Sequence, residues 1–597
     1  MESIVNYLLQ EIPEEPLQVS SNADFCKWEF TATEGRIVVS LWIKPDIHNT
    51  GVNVMTVYGD SEAKENAPVF VMDTEGAFFY TYDGAKKCKL SHFESDVWYS
   101  VYLSMNCYTG KYCLYIDGEQ VLCGEAITKK FEKISAVSVG SYGGIMYVKR
   151  LHVYANPVQN VHAVTEGAYL YDAKELGVSC DGVTVVTEQL QELIDRCSKT
   201  GGTLYLKEGT YLTGSLSLKK NVTLYLEENA VLKGVLDIDA YPVRLSVIHP
   251  NWNTYVQGPQ KALLYADSQE NIRIMGGGCI DGSGDFPGAY GSEPLRVCAV
   301  LMVGCDHAQI GDVYIKDAGM WTVPVVECNN LYIHDLNLNS TWYPNRDGID
   351  ICDCQDVLIE NCNIKADDDA VCFKSGNECG CDNVVVRNSM IISTMANGIK
   401  FGTYSYGGFK NCLCEDCIIK DTRTCAISIQ SVDGGKIENL QFRRLVIQNV
   451  ESVFFALIAD KARVPEGYAK RIGSISHILF EDIEASGVRR NYGTYLGGFK
   501  CKDQIYRIKD FVFRNVNVIY QGGCMECPAE PEEFGKQYPE SNVFGVLPAS
   551  GYYIRHAEEI VFADCKTVIA LPDARDVFYL SDAHEIWVNG EKQIAGN

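Results

Sequence analysis

The chain has 597 residues, of which 46% are hydrophobic and 22% charged, a composition that can bury a large core. Its net charge of −26 argues against nucleic acid and anionic membranes as partners, and weakly against a polyanionic substrate. No uninterrupted apolar run is long enough to span a bilayer, and the opening MESIVNYLLQEIPEEPLQ lacks the basic region of a secretory signal, so a cytoplasmic location is expected.

Residues 1–158 read as an all-β sandwich. RIVVSLWIKP, APVFVMDTEGAFFYTYD, VWYSVYLSMN and GKYCLYIDGEQVL are strand runs separated by Gly, Asp and Asn turns. Their order resembles the concanavalin-like jelly rolls of laminin-G and lectin modules, which leaves open a glycan-binding, structural or homo-oligomerising role. From about 165 the character changes. TEQLQELIDRC, Thr187 to Cys197, is the one clear amphipathic helix, and it suits a cap on the open end of a solenoid. Short runs rich in Val, Ile, Leu and Asn then recur: NVTLYLEENAVLKG, NLYIHDLNL, DVLIENCNIK, NVVVRNSMI and LQFRRLVIQN among them. Between Gln309 and Val384 they return mostly every 22 to 28 residues, about one coil of three strands and three turns. Residues 159–597 are therefore expected to form a right-handed parallel β-helix, with inward Val, Ile and Cys stacked into a continuous core.

The 25 cysteines are scattered, often inside strands, and their odd number lacks a regular framework. Free thiols in a reducing compartment are expected. Cys412-x-Cys414-x-x-Cys417 and Cys524-x-x-Cys527 have the spacing of metal or redox pairs, but neither has a second pair or histidines at zinc spacing, so they read as apolar ladder residues. No metal or cofactor is expected. His477, His556 and His584 have no companion ligands in sequence and read as surface residues.

The most informative stretch is NRDGID, residues 345–350, followed by Asp367-Asp368-Asp369. Asp347 and Asp368 lie one coil apart. Neighbouring coils of a solenoid are spaced by about 4.8 Å, so three carboxylates are expected within a few ångströms. Crowding like charges forces their pKa values apart. Glycoside hydrolysis needs such a set: one protonated and one ionised carboxyl. A solvated acidic turn or a calcium loop is the alternative, but Asp368-Asp369 leads straight into the apolar strand AVCFKSG. Lys374, in that strand, is expected to pair with a carboxylate. Trp342 and Tyr343 just before NRDGID either stack on a sugar or cover a turn.

Several segments, in order, resemble glycoside hydrolase family 28, the polygalacturonases and their relatives. LGVSCDGVTVVTEQLQELIDRC with the coils that follow it, IRIMGGGCIDGSG, AGMWTVPVVECNNLYIHDLNL, NRDGID, DDDAVCFKSG, YIRHAEEIVFADC and DARDVFYLSDAHEIWVNG carry the resemblance, over about 165 to 590. It implies that Asp368 is the general acid, that Asp347 and Asp369 activate the hydrolytic water, and that the reaction inverts the anomeric carbon. Inversion implies acid and base roughly 6.5–9.5 Å apart. Asn345, Asn397, Lys400, Trp342, Tyr343 and Gln430 are the candidate substrate-binding residues.

Two departures bear on specificity. The family's Gly-His-Gly appears here as Ala396-Asn397-Gly398, and Asn cannot carry charge. The Arg-Ile-Lys that clamps a uronate aligns with Ser428-Ile429-Gln430, which removes both cations; Lys400 or Arg423 are the candidates to replace them. The expectation is an exo-acting inverting glycosidase on oligosaccharides, with a neutral sugar on the leaving-group side. An oligogalacturonate-specific hydrolase, a β-helix lyase or transferase, and an inactive glycan binder are the rivals. The loop 522–545, rich in Pro and Glu, is expected either to close one end of the groove or to lie idle on the surface.

Overall fold

The computed structural model describes strand segments between Tyr7 and Asn156, then residues 169–246, 261–284, 296–341 and 345–594, except 462, 465, 466 and 536. Trp342 and Tyr343 lie outside the described residues.

The N-terminal strands form two antiparallel sheets, of seven and six strands. Ile37, Val39, Leu41 and Leu103 from one sheet meet Met55, Val57, Phe79 and Val137 from the other in a shared buried core, as the alternating patterns require. Between Leu170 and Gln593 the described residues form one sheet of 35 strands, a right-handed parallel β-helix whose last strand, Glu591–Gln593, turns back antiparallel. Each strand pairs with its counterpart one coil on. Gln309 pairs with Tyr332, Leu331 with Val357, and Val357 with Val384, advances of 23, 26 and 27 residues that agree with the sequence period.

Identical side-chain positions stack along the axis. Phe442, Phe480, Phe513 and Phe562 form one column, with successive ring centroids 5.0, 4.7 and 4.5 Å apart. Cysteines do the same: Cys305 and Cys328 donate their amides to the sulfurs of Cys328 and Cys354, at 3.4 and 3.3 Å. Every described cysteine is a free thiol, including Cys412, Cys414, Cys417, Cys524 and Cys527. Asn and Asp hold the left-handed turn positions between strands, where their side chains also link coils, as in Asn383 Nδ2 to Asp356 Oδ1 at 2.6 Å.

The helix runs from Thr187 to Thr200, three residues beyond the expected end, and stops at Gly201 with φ 71°. Leu190, Leu193, Ile194 and Cys197 are buried against the first coil and close the end of the core.

The sandwich packs on the outer face of the solenoid. Trp42, Trp98 and Tyr147 cover Met390, Ile392, Ile418 and Val446. The buried Lys420 ammonium donates to Trp98 O at 3.0 Å and to Asp117 Oδ2 at 2.6 Å. These contacts use strands Asn363–Ala366, Met390–Ser393 and Ile418–Lys420, which are not the strands that bear the aspartates.

Candidate active site

The site grows from one sheet of the solenoid: Val323–Val326, Ile349–Cys352, Val371–Ser375, Ile399–Ser405 and Ile427–Ser431. Pairing places Asp350, Cys372, Lys400 and Ser428 in one column across successive coils. In the turns before these strands, Gly348 N donates to Asp369 O at 3.0 Å and Ala370 N to Asn397 O at 2.9 Å, which stacks Asp347, Asp369 and Asn397. Asp368, next to Asp369, sits beside Arg346 through its amide. One carboxylate oxygen from each of Asp347, Asp368 and Asp369 lies within 4.8 Å of the others.

That crowding matches the stacking expected from sequence. The contacts are tighter than the 6.5–9.5 Å carboxyl spacing that inversion implies, so separation alone does not fix the stereochemistry. The same oxygens could share one cation, but the buried ammonium groups of Lys374 and Lys400 already supply positive charge there.

Lys374 Nζ lies 3.3 Å from Asp347 Oδ2 and 3.0 Å from Asp350 Oδ1, the carboxylate pairing expected of it. Lys400 Nζ lies 3.0 Å from Asp369 Oδ2. These cations sort the three acids. Burial works to raise Asp369, but Lys400, Lys374 and the Asn397 amide outweigh it and hold its carboxyl below the usual range. Burial raises Asp368, and the Asp369 charge raises it further. Asp347 is pushed well above the usual range, by burial first and then by the charges of Asp350 and Asp368. Asp350, within the same motif, is pushed up to about 6 by burial, against the pull of Lys374. Asp347 and Asp350 thus share the Lys374 ammonium. Asp350 was not among the expected site residues, although it lies within the same motif.

A cavity of about 480 Å³ opens over the acids, lined by Asn345, Asp347, Asp368, Asp369 and Lys374 together with Arg296, Trp321, Thr403, Tyr404, Arg463 and Tyr538. Asn345 holds Asp368 Oδ2 with its amide nitrogen at 3.2 Å and its side chain at 3.4 Å, while its Oδ1 accepts from Arg296 at 3.3 Å. Trp321 lies under Lys374, with Nζ 4.6 Å from the ring centroid. Arg463 stacks on Tyr404 at 4.3 Å and pairs with Asp433 at 3.0 Å.

Three expected binding residues sit differently. Gln430 is fully buried, donates to Ser428 Oγ at 2.8 Å and does not line the cavity. Its side chain belongs to the wall behind the site. Lys400 and Asn397 are also buried behind the lining, engaged with Asp369 and Glu540. Arg423 is exposed, against Met395 Sδ, and is not part of the lining. Neither candidate clamp therefore faces the cavity. Arg296 and Arg463 do, and no motif in the sequence pointed to them.

The loop 523–545 covers one flank of the site. Glu530 and Glu533 bind Tyr553 Oη and Arg555 at 2.8 Å each, and Glu533 also meets His556 Nε2 at 2.7 Å. His556 is consequently buried and paired with Glu533 and Asp582, not a surface residue as its sequence context implied. At the other end of the loop, Tyr538 lines the cavity and Glu540 reaches Lys400 at 2.7 Å.

The sequence signature of glycosyl hydrolases family 28 matches residues 206–532, over half of the chain. The chain belongs to this family. A probable polygalacturonase of Vitis vinifera is 28% identical over 313 residues, 49% of this chain and 64% of that relative. An exo-poly-alpha-D-galacturonosidase of Dickeya chrysanthemi is 23% identical over 331 residues, 46% and 54% respectively. The chain thus spans less than two thirds of the length of these two curated relatives. Among solved structures, the family 28 exopolygalacturonase of Yersinia enterocolitica aligns with 97% of this chain and all of its own, at a TM-score of 0.56 and 14% identity. The exopolygalacturonase of Thermotoga maritima aligns with 68% of this chain and 95% of its own, at a TM-score of 0.51 and 19% identity. At such identities these two likenesses establish the parallel β-helix fold and nothing beyond it.

Proposed function

We propose that the protein is an inverting glycosidase that removes sugars from one end of galacturonate-containing oligosaccharides. The observation that carries this reading is the geometry of the acid cluster: Asp368 and Asp369 side by side in one cavity, with Asp369 3.0 Å from the buried Lys400 ammonium and Asp368 held by the Asn345 amide at 3.2 Å. Asp368 donates its proton to the glycosidic oxygen as the C–O bond breaks. Asp369 accepts a proton from the water that attacks the opposite face of the anomeric carbon. Asp347, paired with Lys374 at 3.3 Å, orients that water. The loop 523–545, which walls one flank through Tyr538, favours attack from a chain end, and the exo-acting family relatives support the same mode.

The sugar next to the scissile bond meets no cation from Ser428 or Gln430, which are bonded to each other in the wall behind the cavity. A uronate carboxylate there would lose hydration without gaining an ion pair. Arg296 and Arg463 give the cavity another place for a carboxylate. A mixed substrate, galacturonate bonded to a neutral sugar, fits both facts. Comparing kcat/KM on oligogalacturonate, mixed and fully neutral oligosaccharides, with early products followed by proton NMR, tests this. We expect the mixed substrate to be preferred and the first product to have the inverted anomer. A clear preference for unbroken oligogalacturonate would remove the neutral leaving group and implicate Arg296 as the replacement clamp. Retention would make an aspartate the nucleophile, and turnover of none of the three would sink the glycosidase reading.

Cytoplasmic residence is the location we infer, because thiols stacked in the solenoid core persist in a reducing compartment. Titration of the denatured, unreduced protein with a thiol reagent should recover nearly all 25 cysteines. Recovery of only a few would point to export.

A further inference from the structure

A second cavity of about 530 Å³ lies between the sandwich and the solenoid, lined in part by Lys44, Trp98 and Ile519. Trp98 is almost wholly buried there, so it offers no ring face to a sugar. A stronger candidate lies against the acids. Asn397 Nδ2 donates to Asp369 Oδ1 at 2.8 Å and to Glu540 Oε2 at 3.0 Å. Lys400 Nζ, three residues on, pairs with Asp369 Oδ2 at 3.0 Å and with Glu540 Oε1 at 2.7 Å. Its third hydrogen has Tyr538 Oη at 3.3 Å. The result is a closed ring, in which both oxygens of each carboxylate are held by the same amide and the same ammonium. Asn397 and Lys400 are buried, and Glu540 is supplied by a loop about 140 residues away in sequence.

This ring answers a question the sequence raised. Asn397 stands where the family signature has histidine and cannot carry charge, and Lys400 restores a cation one turn of strand away. A buried ammonium between two carboxylates is shared, and each acid feels the loss of the other. We propose that Glu540 is a positioning residue that fixes Asn397 and Lys400 against Asp369, so that seating of the loop 523–545 sets the orientation and charge of the catalytic base. The inference rests on the reading of Asp369 as that base. Besides Lys400 and Glu540, the titratable groups facing Asp369 are Asp347, Asp350, Asp368, Lys374, Cys372 and Tyr538. Glu540→Gln and Lys400→Met leave all of these in place.

The two variants should act in opposite directions. Glu540→Gln removes a negative charge that competes for Lys400, so Asp369 becomes more acidic. The acidic limb of the kcat/KM–pH profile should move down by about a unit, and kcat should fall roughly 10–100-fold from misorientation, with KM nearly unchanged. Lys400→Met should move that limb upward. Hydrogen exchange gives a readout independent of turnover: in either variant, amides from Tyr538 to Phe544 should exchange faster, while the Glu530–Glu533 anchor stays protected. A profile that does not move in Glu540→Gln while wild type is active, or a limb that moves the same way in both variants, overturns the proposal. Unchanged exchange at 538–544 in Glu540→Gln overturns it as well, whatever the substrate. Inactive wild type with faster exchange in the variants would retain the latch and reject the catalytic reading on which the coupling rests.

Discussion

Asp368→Asn should lower turnover by at least ~10²–10⁴-fold, the usual contribution of one general acid, while substrate binding persists. The substitution keeps the shape of the side chain and its contact with the Asn345 amides, but Asn has no proton acidic enough to give to a leaving oxygen. Burial and the neighbouring Asp369 charge both raise Asp368 above the usual carboxylate range, and it faces the cavity. Single-turnover kinetics alongside equilibrium binding of the substrate separate the two effects. Near-normal turnover in the variant would overturn the assignment of the acid. An aryl glycoside with an acidic leaving group should be cleaved with a much smaller loss, because it needs little protonation, and equal losses on both substrates would point to a binding role for Asp368 instead.

Lys374→Met is expected to cost about 3–5 kcal/mol of stability, because it leaves buried carboxyls without their cation. Lys374 is enclosed, and Asp347 and Asp350 lie at 3.3 and 3.0 Å. Burial opposes its charge, yet the Asp350 and Asp347 carboxyls hold the proton on it, and Cys372 Sγ accepts from it at 2.9 Å. The loss should depend on pH. Asp350 is pushed up to about 6 even with Lys374 present. Without the cation, both acids in the folded state take up protons at a higher pH than in the unfolded chain. Folding of the variant then binds protons, so its stability rises as pH falls. Urea unfolding of variant and wild type at pH 8 and pH 5 measures this, and the gap should narrow at pH 5. Equal stability at both values would mean that the ion pairs contribute nothing net, as some buried pairs do.

The sequence by itself determined the solenoid, because its physics is local and repetitive. A period of 22 to 28 residues with Val, Ile and Cys at fixed places allows few structures other than stacked coils, and Asn or Asp at the turns tolerates the left-handed backbone that each corner needs. The same period placed Asp347 against Asp368 and Asp369, since residues one coil apart must stack. The pairing of Lys374 followed from its place in the strand after them. Tertiary structure decided the rest. Glu540 meets Asn397 and Lys400 across 143 and 140 residues, a distance no periodicity encodes. Arg296 reaches the cavity because its strand entry lies over Asn345, and Arg463 because a loop after Ile458 folds back onto Tyr404. Lys400, expected to contact substrate, was instead drawn behind the lining, because a buried ammonium is stable only where carboxylates surround it. The sequence could count the charges, but their partners, and therefore which acids keep a proton, depended on how distant coils and one loop converge.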